Sequence, residues 1–200
     1  MIESCKAEFD KFRGWFTLIH VDTELYEKIG KYYHQKGISI DKIDKIVFLK
    51  TGRHLILGKT PPAFNLMVET GRELHASLMV NDVSHYSGNL YPTYIHIGDG
   101  TTPPTIDDWK LESPWVGGAY AITVAERDVA SHCKWEATIA SGDSGTLGEA
   151  GLFLQEDPPE FNPQNDPLQY PYSMLHRALF VPSVVKTAGQ TEVVVYEAIF

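Results

Sequence analysis

The residues best suited to covalent chemistry are Ser144, in Gly142-Asp143-Ser144-Gly145, and His132, in Ala130-Ser131-His132-Cys133. A nucleophilic serine needs an imidazole to take its proton and a carboxylate to orient that imidazole. Here the His and Ser segments stand only about a hairpin apart, and no strand carrying an acid fits between them. Gly and Asp serve turn conformations, and Ser141–Gly145 joins two predicted strands. The tetrapeptide therefore reads as a polar β-turn.

Both fragments resemble the segments around the catalytic residues of chymotrypsin-like proteases. In that family they lie in different barrels, and the serine motif continues Gly-Gly-Pro, whereas Thr146-Leu147 follows Gly145 here. The eight histidines (His20, His34, His54, His75, His85, His96, His132 and His176) form no His-x-x-x-His or Glu-flanked zinc pattern. Asp99, Asp107 and Asp108 flank a Gly-Thr-Thr-Pro-Pro loop but lack the periodic oxygens and terminal Glu of a calcium loop. They read as turn and cap residues. Gly98-Asp99-Gly100 lacks the Gly-Lys-Ser/Thr ending of a phosphate loop. The sequence thus predicts no catalytic residue, no metal and no cofactor.

The aromatics are the other chemistry-bearing group, because they anchor protein interfaces and bind sugars. Trp135, mid-strand, reads as core. Trp115 and the Tyr170-Pro171-Tyr172 loop are candidate interface residues, as are Phe12 and Phe16 nearer the N-terminus.

The 200 residues are 43% hydrophobic and 22% charged, enough apolar material for one large core or two small ones. A formal net charge of -9, spread along the chain, argues against a nucleic-acid backbone and against an anionic membrane as partner. No apolar run is long enough to span a bilayer, and Met1–Glu8 lacks a secretory pattern. Cys5 and Cys133, far apart, read as two unpaired thiols in a reducing compartment.

Residues 1 to about 36 show apolar spacing of three and four at Phe9, Phe12, Phe16, Leu25, Ile29, Tyr32 and Tyr33, which predicts helix. Asp22 or Thr23 would cap the second segment and Gly37 would stop it. Short runs at 45–50, 53–57, 63–68 and 74–80 predict a meander of small strands, with Thr51-Gly52 as a hairpin turn and Thr60-Pro61-Pro62 and Thr70-Gly71 as breaks. A polar linker over 81–89 leads to strands at 91–97, 120–126, 132–139, 146–155, 174–180 and 192–200. A short segment at 107–111 and a proline-rich excursion at 156–171 interrupt them. The fold class expected is α+β, mainly β. A helical N-terminal segment and small β block (1–90) would precede an antiparallel β-sandwich or barrel-like domain (91–200). The last strand is apolar on both faces apart from Glu197, so it needs cover on each side.

The order of motifs in the second half resembles a β-rich domain of tailed-bacteriophage virion proteins. Gly98–Pro103, with Pro104 after it, matches its Gly-x-Gly-Thr-Thr-x-Pro opening, followed by Asp107, Asp108 and Leu111. Glu149–Phe153 matches a Glu-Ala-Gly-Leu-Phe strand. Arg177–Phe180 matches Arg-Ala-x-Phe, Val184–Thr187 matches Val-x-Lys-Thr, and Glu192–Phe200 matches the terminal strand. The proline-rich insert and Trp109 depart from the pattern. What the resemblance implies is a non-enzymatic particle component, made in the host cytoplasm and residing in the virion. Its expected partners are other virion proteins and copies of itself, in the tail, baseplate or tail-adaptor (collar) region. The alternatives are a host-surface glycan-binding module, suggested by Trp115 and Tyr170, and a capsid decoration protein.

Overall fold

The computed structural model describes residues 13–79, 90–127, 132–155 and 174–199. The fold is mainly β, 49% strand, and its centre is a closed eight-stranded antiparallel barrel, not a sandwich. Its elements are strand β1 (Arg13–Val21), helix α1 (Thr23–Leu25), a π-helical stretch (Tyr26–Gly30), α2 (Lys31–His34), α3 (Ile40–Thr51), β2 (Ile56–Lys59), β3 (Ala63–Met67), α4 (Glu69–Met79), β4 (Tyr94–Gly98), β5 (Pro114–Arg127), β6 (His132–Ile139), β7 (Gly145–Phe153), β8 (Met174–Lys186) and β9 (Thr191–Ile199).

Around the barrel the order is β1-β3-β8-β7-β4-β5-β6-β9, and β9 pairs back onto β1 to close it. β2 and β3 lie on the same edge of β1, with Ile19 opposite Lys59 and Phe16 opposite Ala63. They form one interrupted strand. At the break, the Thr60 N–H donates to the Leu18 carbonyl and the Leu18 N–H donates to Thr60 Oγ1. Pro61 and Pro62 carry no N–H to continue the ladder there.

An eight-stranded barrel is just wide enough for side chains to fill. Phe16, Leu18, Ile95, Ile97, Ile139, Leu147, Leu152, Phe180, Val194 and Tyr196 occupy this interior. β9 is buried on both faces, as its sequence requires. Val194, Tyr196 and Ala198 point inward, while Val193 and Val195 lie with Ile19 and Val21 under Leu25, Tyr26, Ile40, Ile43 and Val47 of the helical layer. Each such side chain contributes roughly 1.5–3 kcal/mol when fully buried.

The N-terminal expectations need correction. Arg13–Val21 is a strand, because alternation wins over helical spacing: Phe16 and Leu18 face the interior, Ile19 and Val21 the helices. Helix begins only at Thr23, where the Asp22 side chain accepts from the Leu25 N–H at 3.0 Å, and Gly37 ends the region at φ 75°. Residues 45–50, expected as strand, belong to α3. Its Ile40, Ile43 and Val47 are buried one to two turns apart, and Gly52 caps it in the left-handed region. The run at 74–80, expected as strand, lies largely in α4. Gly71 does not break that helix: it lets α4 approach β8 closely, and a Cβ there would overlap the Leu175 carbonyl. The barrel takes β1 and β3 from before residue 90 and its other strands from after it, so no structural seam runs at that position. Among the described residues no helix is long and apolar enough to cross a membrane.

Candidate functional site

Three of the segments that carry the resemblance, around Thr102–Asp108, Glu149 and Arg177, meet on the outer face of β7 and β8. Arg177, 2% exposed, donates from Nε to Glu149 Oε2 at 2.8 Å, from Nη1 to Asp108 Oδ2 at 2.5 Å and from Nη2 to the Thr102 carbonyl at 3.1 Å. Glu149, fully buried, accepts the Glu112 and Ser113 N–H groups at 3.1 and 2.8 Å. Glu112 in turn accepts the Thr101 and Thr102 N–H groups, each at 2.8 Å, and the Thr102 hydroxyl. Asp108 accepts from the Thr105 N–H and hydroxyl, so it acts as the turn residue expected of it. Burial works against the Arg177 charge, but the bonds to Asp108 and Glu149 outweigh it and hold the guanidinium above its usual range. Loop 99–113 is thus fastened to the barrel by charge.

A second fastening holds the Ser141–Gly145 turn. Lys186, 1% exposed, donates to the Ala140 carbonyl at 2.8 Å and to the Asp143 carbonyl at 2.5 Å, and burial pulls its ammonium below the usual lysine range. The Gly189 N–H donates to the Ser141 carbonyl at 2.7 Å. Tyr120 donates its hydroxyl to Asp143 Oδ2 at 2.9 Å. Burial first, and then that carboxylate, pushes the phenol well above its usual range. Trp115 Nε1 donates to the Thr146 carbonyl at 3.0 Å, and a Cβ on Gly145 would sit 2.6 Å from the indole Cζ2. Between the turn and loop 99–113 opens a cavity of about 570 Å³, lined by Trp115, Tyr120, Asp99, Asp143 and Ser144 among others.

Of the residues singled out in the sequence, Trp115 is half-buried at this rim. Phe16 is not at a surface: it is fully buried in the barrel, its ring 4.7 Å from that of Tyr196, because its position on β1 points inward. Phe12, Tyr170 and Tyr172 lie outside the described residues. Ser144 is exposed on the turn, whereas His132 begins β6 at the other end, roughly 23 Å away along an extended strand. His132 stacks on Trp15 and lies 3.5 Å from Glu197.

Sequence reasoning missed a buried constellation beneath the helical layer. Tyr26 Oη lies 2.8 Å from His34 Nδ1, His34 Nε2 lies 3.1 Å from Glu136 Oε2, and Lys134 Nζ lies 2.7 Å from Glu136 Oε1. Its order, hydroxyl to imidazole to carboxylate, is that of an activated nucleophile. Yet Tyr26, His34 and Glu136 are 3%, 1% and 0% exposed, and a reacting centre needs a path for its substrate. The Ile40 N–H also donates to Glu136 Oε2, at 2.8 Å, so the cluster bolts α2 and α3 to β6. Burial raises the Glu136 carboxyl, but His34, Lys134 and the Ile40 N–H outweigh it and hold it below the usual range. A charged residue between Trp135 and Ala137 in a predicted strand was the available signal.

A second surface lies where two strand interruptions face each other. The β7–β8 register passes from Glu149 opposite Leu179 to Leu147 opposite Val184, so Val181–Ser183 bulge out beside the Thr60–Pro62 break. The groove between them has a volume of about 490 Å³ and is mostly apolar. At and around it, Phe64 is 71% and Val181 81% exposed.

Compared with protein-family models, with curated proteins and with solved structures, the chain finds no match in any of the three.

Proposed function

We infer that the protein is a non-enzymatic structural subunit of a tailed-phage particle, placed in the tail, baseplate or tail-adaptor (collar) region. The observation that supports this best is the convergence of the resemblance segments. Asp108, Glu149 and Arg177 come from three separate motifs and form one ion network. Lys186 of a fourth motif pins the adjoining turn. The motifs are therefore parts of one architectural device, a rigid rim on a barrel, as a component that must present a fixed surface to neighbours requires. Phe64 and Val181 add exposed apolar area of the kind subunits cover on assembly. Such subunits usually gather around a symmetry axis.

The test is the mass of the purified protein in solution, alone and after mixing with isolated phage tails or heads. A defined oligomer, or a stable fraction bound to tails, is the expected result. A monomer that ignores both particles overturns the reading, and binding to heads alone moves the position to the capsid.

A further inference from the structure

The assembly reading leaves the Gly142-Asp143-Ser144-Gly145 turn unexplained, although Lys186 and Tyr120 hold it in one conformation. We propose that the cavity between this turn and Trp115 is a binding site for an uncharged sugar ring. The inference does not rest on the assembly reading.

The ligand class follows from the lining. A pyranose presents an apolar C–H face and a rim of hydroxyls. It is recognised where an aromatic face lies beside acceptors held at fixed positions. Trp115 supplies the aromatic face. Its indole cannot swing away, since Nε1 is bonded to the Thr146 carbonyl and the ring packs on Gly145. Tyr120 holds Asp143 by one carboxylate oxygen, which leaves the other to accept a sugar hydroxyl. Among the described residues no partner holds the Asp99 carboxylate or the Ser144 hydroxyl, and both residues are exposed at the cavity. Bonds from sugar hydroxyls to carboxylates are charge-assisted and roughly twice as strong as neutral ones.

The charge of the ring follows as well. Among the described residues no Lys, Arg or His lines the cavity, and Lys186 spends its donors on the turn's carbonyls from behind. Asp99 and Asp143 would therefore repel a sialic or uronic acid. The volume of about 570 Å³ falls in the ~300–1,000 Å³ range of small-molecule sites. Because the pieces are fixed before any ligand arrives, little ordering cost opposes binding.

The experiment is saturation-transfer NMR on the intact protein. The probes are the methyl glycosides of glucose, galactose, mannose and N-acetylglucosamine, with the methyl glycoside of N-acetylneuraminic acid as the charged comparator. Transfer to at least one neutral glycoside is expected. It should be lost in Trp115→Ala and weakened roughly tenfold or more in Asp143→Asn, which keeps an acceptor for Tyr120. Thermal melting checks that each variant is folded. If Trp115→Ala does not fold, Asp99→Asn and Ser144→Ala, both at exposed positions, must weaken binding in its place. Transfer to none of the four glycosides overturns the proposal. So does transfer that survives every variant, or the N-acetylneuraminic acid glycoside binding as strongly as the neutral sugars.

Discussion

The barrel is covered on two of its sides, and by opposite means. Over β1 and β9 the cover is the helical layer, held mainly by apolar contacts among Ile19, Val21, Ile43, Val47, Val193 and Val195. Over β7 and β8 it includes an irregular loop, 99–113, held by Arg177, Glu149, Asp108 and Glu112. A helix satisfies its own interior backbone groups, so its underside can be oil. A loop cannot, and each buried N–H needs a partner found elsewhere. Glu149, fully buried, accepts two loop N–H groups, and the exposed Glu112 accepts two more at the surface. The difference teaches that carboxylates, one of them fully buried, here substitute for the hydrogen-bond ladder that the loop lacks.

Substitutions that unbalance the charged side should cost most. Glu149→Ala leaves the Arg177 guanidinium without a buried partner and frees two backbone donors, so a loss of about 3–5 kcal/mol is expected in urea unfolding. Hydrogen exchange should then show the Glu112 and Ser113 amides exposed while β1 and β9 stay protected. Retained protection of those two amides would mean the loop does not depend on the carboxylate. On the apolar side the comparable change is milder. Ile43→Val removes one methyl group from a fully buried position and should cost about 0.5–1.5 kcal/mol, with amide protection in loop 99–113 unchanged.

The helical side also has a buried charged cluster at Glu136, and it makes that side sensitive to acid. Glu136 is held below its usual range, so the folded state binds a proton there less readily than the unfolded chain does. Its stabilisation is fully present above the ordinary glutamate range and is lost as pH falls through the lowered value. Glu136→Gln should flatten that acid limb of the stability profile measured by thermal melting. An unchanged limb would assign the acid sensitivity to other carboxylates. The smallest effect belongs on the solvent-facing side of the helical layer. Lys31→Ala breaks an exposed pair with Glu27 and should shift stability by less than about 0.5 kcal/mol.

The same contrast governs how much could be read from the chain. The strands beyond residue 90 alternate and are punctuated by Gly, Pro and Asp. β6 falls on its predicted residues, and β7 and β9 within two of theirs. Before residue 90 short apolar runs were ambiguous. Val47, Phe48 and Leu49 fit a strand as well as a helix, and only the burial of Ile40 and Ile43 one and two turns back decides for helix. At the candidate site, the turn at Ser141–Gly145 and the interest of Trp115 were visible as residue types. The pairing of Glu149 with Arg177, 28 positions apart, was not. Local pattern says where a charge lies, and only the β7–β8 register says what it faces.

The pairing of β1 with β9 also dictates when the protein can fold. Trp15 and Glu197, joined across this pair, are 182 positions apart. As the chain leaves the ribosome, β1 must wait for β9 before the cylinder can shut. Until then β1 and β6 each present an edge that any extended polypeptide could occupy. Contacts of such long range close slowly. The interval of greatest hazard for this molecule therefore precedes its native state, while the Arg13–Val21 ladder still lacks its partner.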